Sequence, residues 1–330
     1  MKHLILVGAC YLDTILTVPH FPEEDSKLRA TAVQVRRGGN CPNTLEVLQQ
    51  LLLSGSANDS EPDSRQQHPR VVPHLVACLP NARAAATGKI LSSFGPGSPI
   101  DFGHCIYRDD HDEAASSYII RSAETGSRTI VNFQDLPEMT VGEFENIADK
   151  FTEHAADCWW HFEGRIPETT LQCIRYLRRV LPGSTISIEA EKPNREGLAA
   201  LAAESDVVFY SQSWANVSAI PTLLTHRNRP PVHEPPRSLS ERRGILDEGG
   251  ASALSIPGGE YMHCAANPSG KDLLVVDSLG AGDTFIAGVL FGLICHPDDW
   301  SAEAKLAFGV ELATRKVQRD GFAGLGNTNT

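Results

Sequence analysis

The chain has 330 residues, 29 Lys and Arg against 41 Asp and Glu, and a formal charge of −12. With 41% hydrophobic and 21% charged residues, disordered and collagen-like classes are excluded, and the length allows one large domain or two small ones. The acidic average opposes bulk nucleic acid and anionic lipid, and apolar runs such as VLFGLIC at 289–295 fall short of a bilayer's width, so neither partner is expected.

The start, MKHLILVGACYLD, reads as a first strand and not as a signal peptide, since its apolar run is short and closes on Tyr11 and Asp13. The expected location is cytoplasmic, and the eight scattered cysteines, without a CxxC pair, are expected to be reduced thiols. The twelve histidines are dispersed too, with no spacing suited to structural zinc.

A buried strand over 4–9 is followed by a more exposed one, DTILTV at 13–18. RRGGNCPNTLEVLQQLLL then predicts strand, glycine turn and helix, with Asn43 as cap and Leu45, Leu48, Leu51 and Leu52 on the apolar face. Residues 54–70, rich in Ser, Asp, Pro and Gln, read as a surface loop. VVPHLVACL supplies a strand and NARAAATGKILSSF a helix. SSYIIR and RTIVNF, around a Thr125-Gly126-Ser127 turn, form a hairpin.

CWWHFEG, STISIEA and DVVFYS are apolar strands that alternate with helices at 167–181, in REGLAALAAE and at 212–225. That alternation predicts an α/β fold with a mostly parallel sheet. The stretch 226–243, with four prolines and five arginines, reads as a loop insertion. Next come ASALSIPGG, EYMHCAA, an apolar run over 273–276 read as a strand, and an amphipathic helix in AEAKLAFGVELATRKVQ.

The most specific feature is DSLGAGDTF, Asp277 to Phe285. Gly280, Ala281 and Gly282 turn the chain into an apolar helix beginning near Asp283, whose first-turn N–H groups would hold an anion such as phosphate. A carboxylate at the mouth of an anion hole repels phosphate unless it is occupied with a proton. Phosphoryl transfer to an alcohol supplies that proton, so Asp283 is the candidate general base, worth about 10² to 10⁴ in rate. The plainer alternative is a capping aspartate.

DSLGAGDTF resembles the C-terminal signature of the ribokinase-type (PfkB) carbohydrate kinases, and RRGGNCPNT resembles their N-terminal glycine motif. VG..YLDTI, PEEDS, GSRTIV, WHFEGR, IEAEKP, DVVF and FG...A..K....GF stand with them in the family's order, from residue 7 to residue 322. The resemblance implies a single domain over 1–330: a three-layer α/β/α kinase fold with a small β-sheet lid from about 11–36 and 103–136. It implies ATP and Mg²⁺ as cofactors, a monovalent cation as a further option, and transfer of the γ-phosphate to a sugar hydroxyl, with fructose giving fructose 1-phosphate. Other acceptors in the family's range are ribose, another ketose, a glycated amine or a nucleoside. It also implies a homodimer through the lid.

By the same resemblance Asp13, Gly39, Asn40, Asn43 and Arg128 are substrate-binding, and Arg165, Glu191 and Lys192 form a polar floor near the phosphates. Glu248 and Gly250 match the nucleotide loop. The strand that usually precedes that loop is reduced here to Ile245 and Leu246, which leaves open a catalytically silent sugar-binding protein. The metal ligands are not assigned by the sequence.

Overall fold

The computed structural model describes residues 1–58, 69–211, 250–254, 261–266 and 274–327. Strand β1 (Lys2–Val7) divides the core by simple alternation: Leu4 and Leu6 enter one apolar cluster, Ile5 and Val7 the other. Successive side chains of a strand point to opposite faces, so a strand apolar on both must lie inside a sheet covered on both sides. β1 is flanked by β4 (Val71–Val76) and β9 (Cys158–Glu163), with β10 (Thr185–Ala190) and β11 (Val207–Tyr210) beyond β9. The order is β11-β10-β9-β1-β4 and every pairing is parallel.

One face carries α1 (Asn40–Asn58), with Leu45, Leu48 and Leu51 buried against Ile286, Leu290 and Ile294 of α6 (Ala281–Cys295). α7 (Ala302–Val317) packs on α6, and α2 (Ala85–Ser92) completes that side with Ile90. On the other face α3 (Val141–Ala148), α4 (Pro167–Val180) and α5 (Leu198–Glu204) bury Phe144, Ile174, Leu177 and Leu201 against Trp160, Phe162, Ile186 and Ile188. This is the expected three-layer α/β/α arrangement.

A second sheet stands off the C-terminal edge of the first. It contains β2 (Tyr11–Val18), β3 (Ala32–Gly38), β7 (Ser116–Ser122) and β8 (Arg128–Phe133) in the order β3-β2-β7-β8, with the hairpin antiparallel as expected. The lid is narrower than 103–136, because β6 (Ile106–Arg108) pairs instead with β5 (Cys78–Pro80). β12 (Gly250–Leu254) and β13 (Tyr261–Ala265) form a separate antiparallel pair.

The structure corrects several boundaries. α1 runs on through 54–58, where the polar composition predicts a loop, because a helix already seated by Leu45, Leu48 and Leu51 is extended at little cost. Asn43 lies inside its first turn and is not the cap. Residues 274–276 are exposed and outside any strand, although they are apolar. Residues 59–68, the expected helix at 212–225 and the stretch 226–243 lie outside the described residues. All eight cysteines are free.

Candidate functional site

The site gathers at the C-terminal ends of β1, β9 and β10, where an open parallel sheet offers its crevice. Two glycines set its backbone. Gly39 takes φ +107°, and a Cβ there would stand 2.2 Å from the carbonyl oxygen of Ala9, so the lid strand passes into α1 only through glycine. Gly280 takes φ +78° and starts α6, with the ring of Phe322 filling the space where a Cβ would be.

Asp283, in the first turn of α6, is buried. Its Oδ2 accepts a hydrogen bond from Asn43 Nδ2 at 2.8 Å, and Thr44 Oγ1 donates to its carbonyl at 3.3 Å. Asn43 Oδ1 accepts in turn from Arg37 Nη1 at 3.1 Å. Arg37 is fixed by Glu46, by Ser93 Oγ at 3.0 Å and by stacking 4.3 Å from the Phe94 ring centroid. Burial pushes the Asp283 carboxyl up to about 7; the Asn43 amide opposes this and the charges of Glu163 and Glu191 add to it.

Three further carboxylates face the same space. Glu189 accepts from Asn40 Nδ2 at 3.0 Å, and burial and Asp283 hold it well above the usual carboxylate range. Glu163 accepts from the Ala9 amide at 2.8 Å; burial raises it against the pull of that amide and of Arg165. Asp13 on β2 is also raised by burial, opposed by the Ser117 hydroxyl and by Arg36 and Arg37. Its buried Oδ1 has no hydrogen-bond partner among the described residues.

The turn before α6 is clamped from below. Lys316 of α7 is fully buried and its Nζ donates to the carbonyl of Asp277 at 3.1 Å and to its Oδ2 at 3.0 Å. Arg36 stands 3.5 Å from the same oxygen, and the Leu279 amide donates to Asp277 Oδ1 at 3.0 Å. Burial alone would raise Asp277, but these partners hold it below its ordinary value.

Asp13, Gly39, Asn40, Asn43, Glu191 and Gly280, Ala281, Gly282 and Asp283 are thus brought to one region. Arg165 stands at its margin, bonded to Glu138, to Gln134 Oε1 at 2.9 Å and to the Tyr11 hydroxyl at 3.3 Å. It ties both roots of the lid to the end of β9. Lys192 is exposed, and it is Arg195 that reaches back, donating to the Gly164 carbonyl at 2.7 Å. Arg128 is exposed at the hairpin tip, opposite Arg121 and away from the other site residues of its own chain. Glu248 lies outside the described residues and Gly250 opens β12.

Sequence reasoning passed over Arg37, Glu163, Glu189 and the Asp277–Lys316 pair. The signal for the two glutamates was available: a single carboxylate closes the apolar run of CWWHFE and almost closes TISIEA.

The parallel sheet between two helical layers, with a smaller β-sheet beside it and an aspartate behind a Gly-Ala-Gly turn, has the ribokinase-like fold, and the comparisons agree. Ribokinase from Thermotoga maritima superposes with a TM-score of 0.67 at 16% identity, covering 97% of this chain and 94% of that one. A structure of Arabidopsis thaliana ribokinase complexed with ribose and ATP gives 0.66 at 17% identity, with 97% and 94% covered. In sequence the chain is similar to ketohexokinase of Mus musculus, 29% identical over 351 aligned residues that cover 98% of this chain and 99% of the relative. No family model matches the chain. Fold and full-length likeness together indicate an ATP-dependent carbohydrate kinase.

Proposed function

We propose that the chain phosphorylates a ketohexose, with fructose as acceptor and its 1-hydroxyl as the attacking group. The observation that carries this reading is Asp283: a buried carboxylate at a helix N-terminus, oriented by Asn43 at 2.8 Å and raised to about 7. A base poised near neutral pH accepts the hydroxyl proton as the oxygen attacks, and it can bind that proton without leaving the site. The likeness to ketohexokinase supports the choice of sugar.

The chain's own residues divide the work. Asp13, with its unpartnered Oδ1, and Asn40 are the groups for sugar hydroxyls, an acceptor and a mixed donor–acceptor. Asn43 and Arg37 orient the base. The N–H groups at the start of α6 take the transferring phosphate, that of Ala281 from a long 3.4 Å bond to the Ser278 carbonyl, and Gly282 leaves space for it, since nothing lies within 4 Å of where its Cβ would be.

The donor set also fits Mg²⁺, which prefers carboxylate oxygens and water. Glu189 and Glu191, beside an already acidic site, would hold the ion through carboxylate oxygens or water. When bound, it offsets phosphate charge. The lid excludes water that would otherwise compete as acceptor, and its apolar outer face supports a homodimer.

A coupled assay of ADP release by the full chain, over fructose, ribose, other ketoses, a glycated amine and a nucleoside, tests the reading. Turnover that is highest with fructose is expected; fructose-independent ADP release, or preference for another acceptor, would overturn the assignment of the sugar.

A further inference from the structure

A cluster of histidines gathers on the outermost strand of the parallel sheet, two strands across from β9 and its Glu163. His74 is central in β4 and 3% exposed. Its Nδ1 stands 3.1 Å from Asp101 Oδ2, and His104 Nε2 stands 3.9 Å from the same oxygen. The three ligand atoms lie within 4.8 Å of one another. β4 pairs His74 with Ile5 of β1, whose neighbour in β9 is Trp160, so Glu163 stands two strands across and three residues, roughly 10 Å, further along the sheet.

We propose that His74 Nδ1, Asp101 Oδ2 and His104 Nε2 bind a divalent transition ion of the zinc type, with a fourth position open to water on the exposed side of Asp101. Two imidazoles and one carboxylate suit zinc and its neighbours and not Mg²⁺ or Ca²⁺. Tetrahedral zinc with bonds of about 2.1 Å places its donors about 3.4 Å apart, so the spacing here brackets the required one and only the His104 ring has to close in.

The backbone holds the ligands ready. Asp101 N donates to the Pro73 carbonyl at 2.8 Å and the Leu75 amide to the Asp101 carbonyl at 3.0 Å, which locks the carboxylate residue alongside His74. The Gly103 amide engages Asp101 Oδ1 at 2.7 Å and leaves Oδ2 for an ion. His74 Nε2 lies 3.0 Å from His3 Nδ1. With the lone pair of His74 on Nδ1, its Nε2–H donates to His3, the outer-shell bond that fixes a ligating histidine's tautomer.

His74 Nδ1 is buried and has Asp101 Oδ2, at 3.1 Å, as its polar neighbour, so the two donor atoms already face each other. Phe151 packs its ring 5.3 Å from His74 and 5.0 Å from His104 and closes the inner side.

The consequence is structural: an ion here would tie β4, the 101–104 turn and, through His3, β1 into one unit, two strands across from β9 and its Glu163. Untagged full-length protein is loaded with ZnCl₂, desalted and assayed for metal content, affinity and melting temperature. One zinc per chain is expected, with a melting temperature that falls on chelation. His104→Gln and Asp101→Asn, both at the solvent side, are expected to weaken zinc binding at least about tenfold and to abolish the effect of chelation while kinase activity is retained. Cobalt-loaded protein should show no thiolate charge-transfer band, which separates this site from the cysteines. No retained zinc in the wild type, equal zinc affinity in folded variants, or a thiolate band would each overturn the assignment.

Discussion

Asn43 Nδ2 donates to Asp283 Oδ2 at 2.8 Å across 240 positions of sequence, and the other end of the same amide is taken by Arg37 at 3.1 Å. The amide therefore orients the carboxylate and favours its ionised form. Asn43→Ala removes a hydrogen bond to a charged group, about 1.5 to 3 kcal/mol, and should lower kcat by roughly ten- to a hundredfold. The acid limb of the kcat/KM profile should move to higher pH. A rise in KM with kcat and the limb unchanged would instead make Asn43 a sugar ligand, so a full pH profile of the variant decides between the two.

Asp283→Asn should lower kcat by about 10² to 10⁴ while sugar affinity is retained. It should also change stability in a pH-dependent way. The folded carboxyl lies at about 7 against an ordinary 3.8, so the unfolded chain releases this proton first. The stability it contributes is whole below about pH 3.8 and is lost as the pH rises through about 7. Asparagine has no proton to lose. The variant should gain on the wild type between about pH 5 and about pH 8, by roughly 1 to 4 kcal/mol, in urea denaturation at the two pH values. A gain equal at both would mean that Asp283 is not the group whose pKa is raised.

Much of this site is legible in sequence because it is carried by local grammar. Gly39 sits where a strand meets a helix, the 280–282 turn opens an apolar helix, and the apolar runs CWWHFE and TISIEA, set between helices, are enough to announce buried strands. What escapes is what depends on pairing across the chain. Arg37 reads as one more basic residue before Gly-Gly until α1 brings Asn43 and Glu46 beneath it. Lys316 looks like an amphipathic helix's solvent lysine, yet it is fully buried because Asp277 lies 39 residues earlier. His74 likewise reads as one polar residue in an apolar strand, and its partners Asp101 and His104 come from a different turn. The apolar run over 273–276 errs the other way, since composition predicts a strand there while Val276 and Asp277 bond to the Val317 carbonyl at the end of α7.

Lys316 is fully buried on a partly buried Asp277, which without it keeps only Arg36 at 3.5 Å and the Leu279 amide. Lys316→Met should cost about 1 to 3 kcal/mol, read as a lower urea midpoint. Asp277→Asn in the same chain should recover part of that loss. The single variant should also lose turnover, because the clamp holds the turn that presents the α6 amides. A midpoint unchanged in Lys316→Met would show that the pair does not support the turn.

β8 is exposed at every residue although it carries Ile130, Val131 and Phe133, and Val33 and Val35 on β3 are 67% and 56% exposed. An apolar lid edge of this kind calls for a cover. If that cover is a second copy, Val131→Glu should shift the mass measured by light scattering from dimer to monomer without unfolding the chain. A monomeric wild type would dispose of the dimer.

Gly282 separates a ligand's demand from the fold's. Its neighbour Gly280 has φ +78° and faces Phe322, where a Cβ would meet ring carbon at 2.4 Å; Gly280→Ala should therefore destabilise the protein by about 1 to 3 kcal/mol. At Gly282 nothing lies within 4 Å of a Cβ and the residue is in the first turn of α6, where alanine is the better helix former by up to about 1 kcal/mol. Folding gives no reason for glycine there; the close approach of an anion to the helix end does. Gly282→Ala should melt at or above the wild-type temperature, yet show a raised KM for ATP and at least a tenfold fall in kcat/KM. A stable variant with wild-type kinetics would remove the 280–282 turn from the phosphate site, and an unstable one would mean that the turn's geometry and not its ligand required glycine.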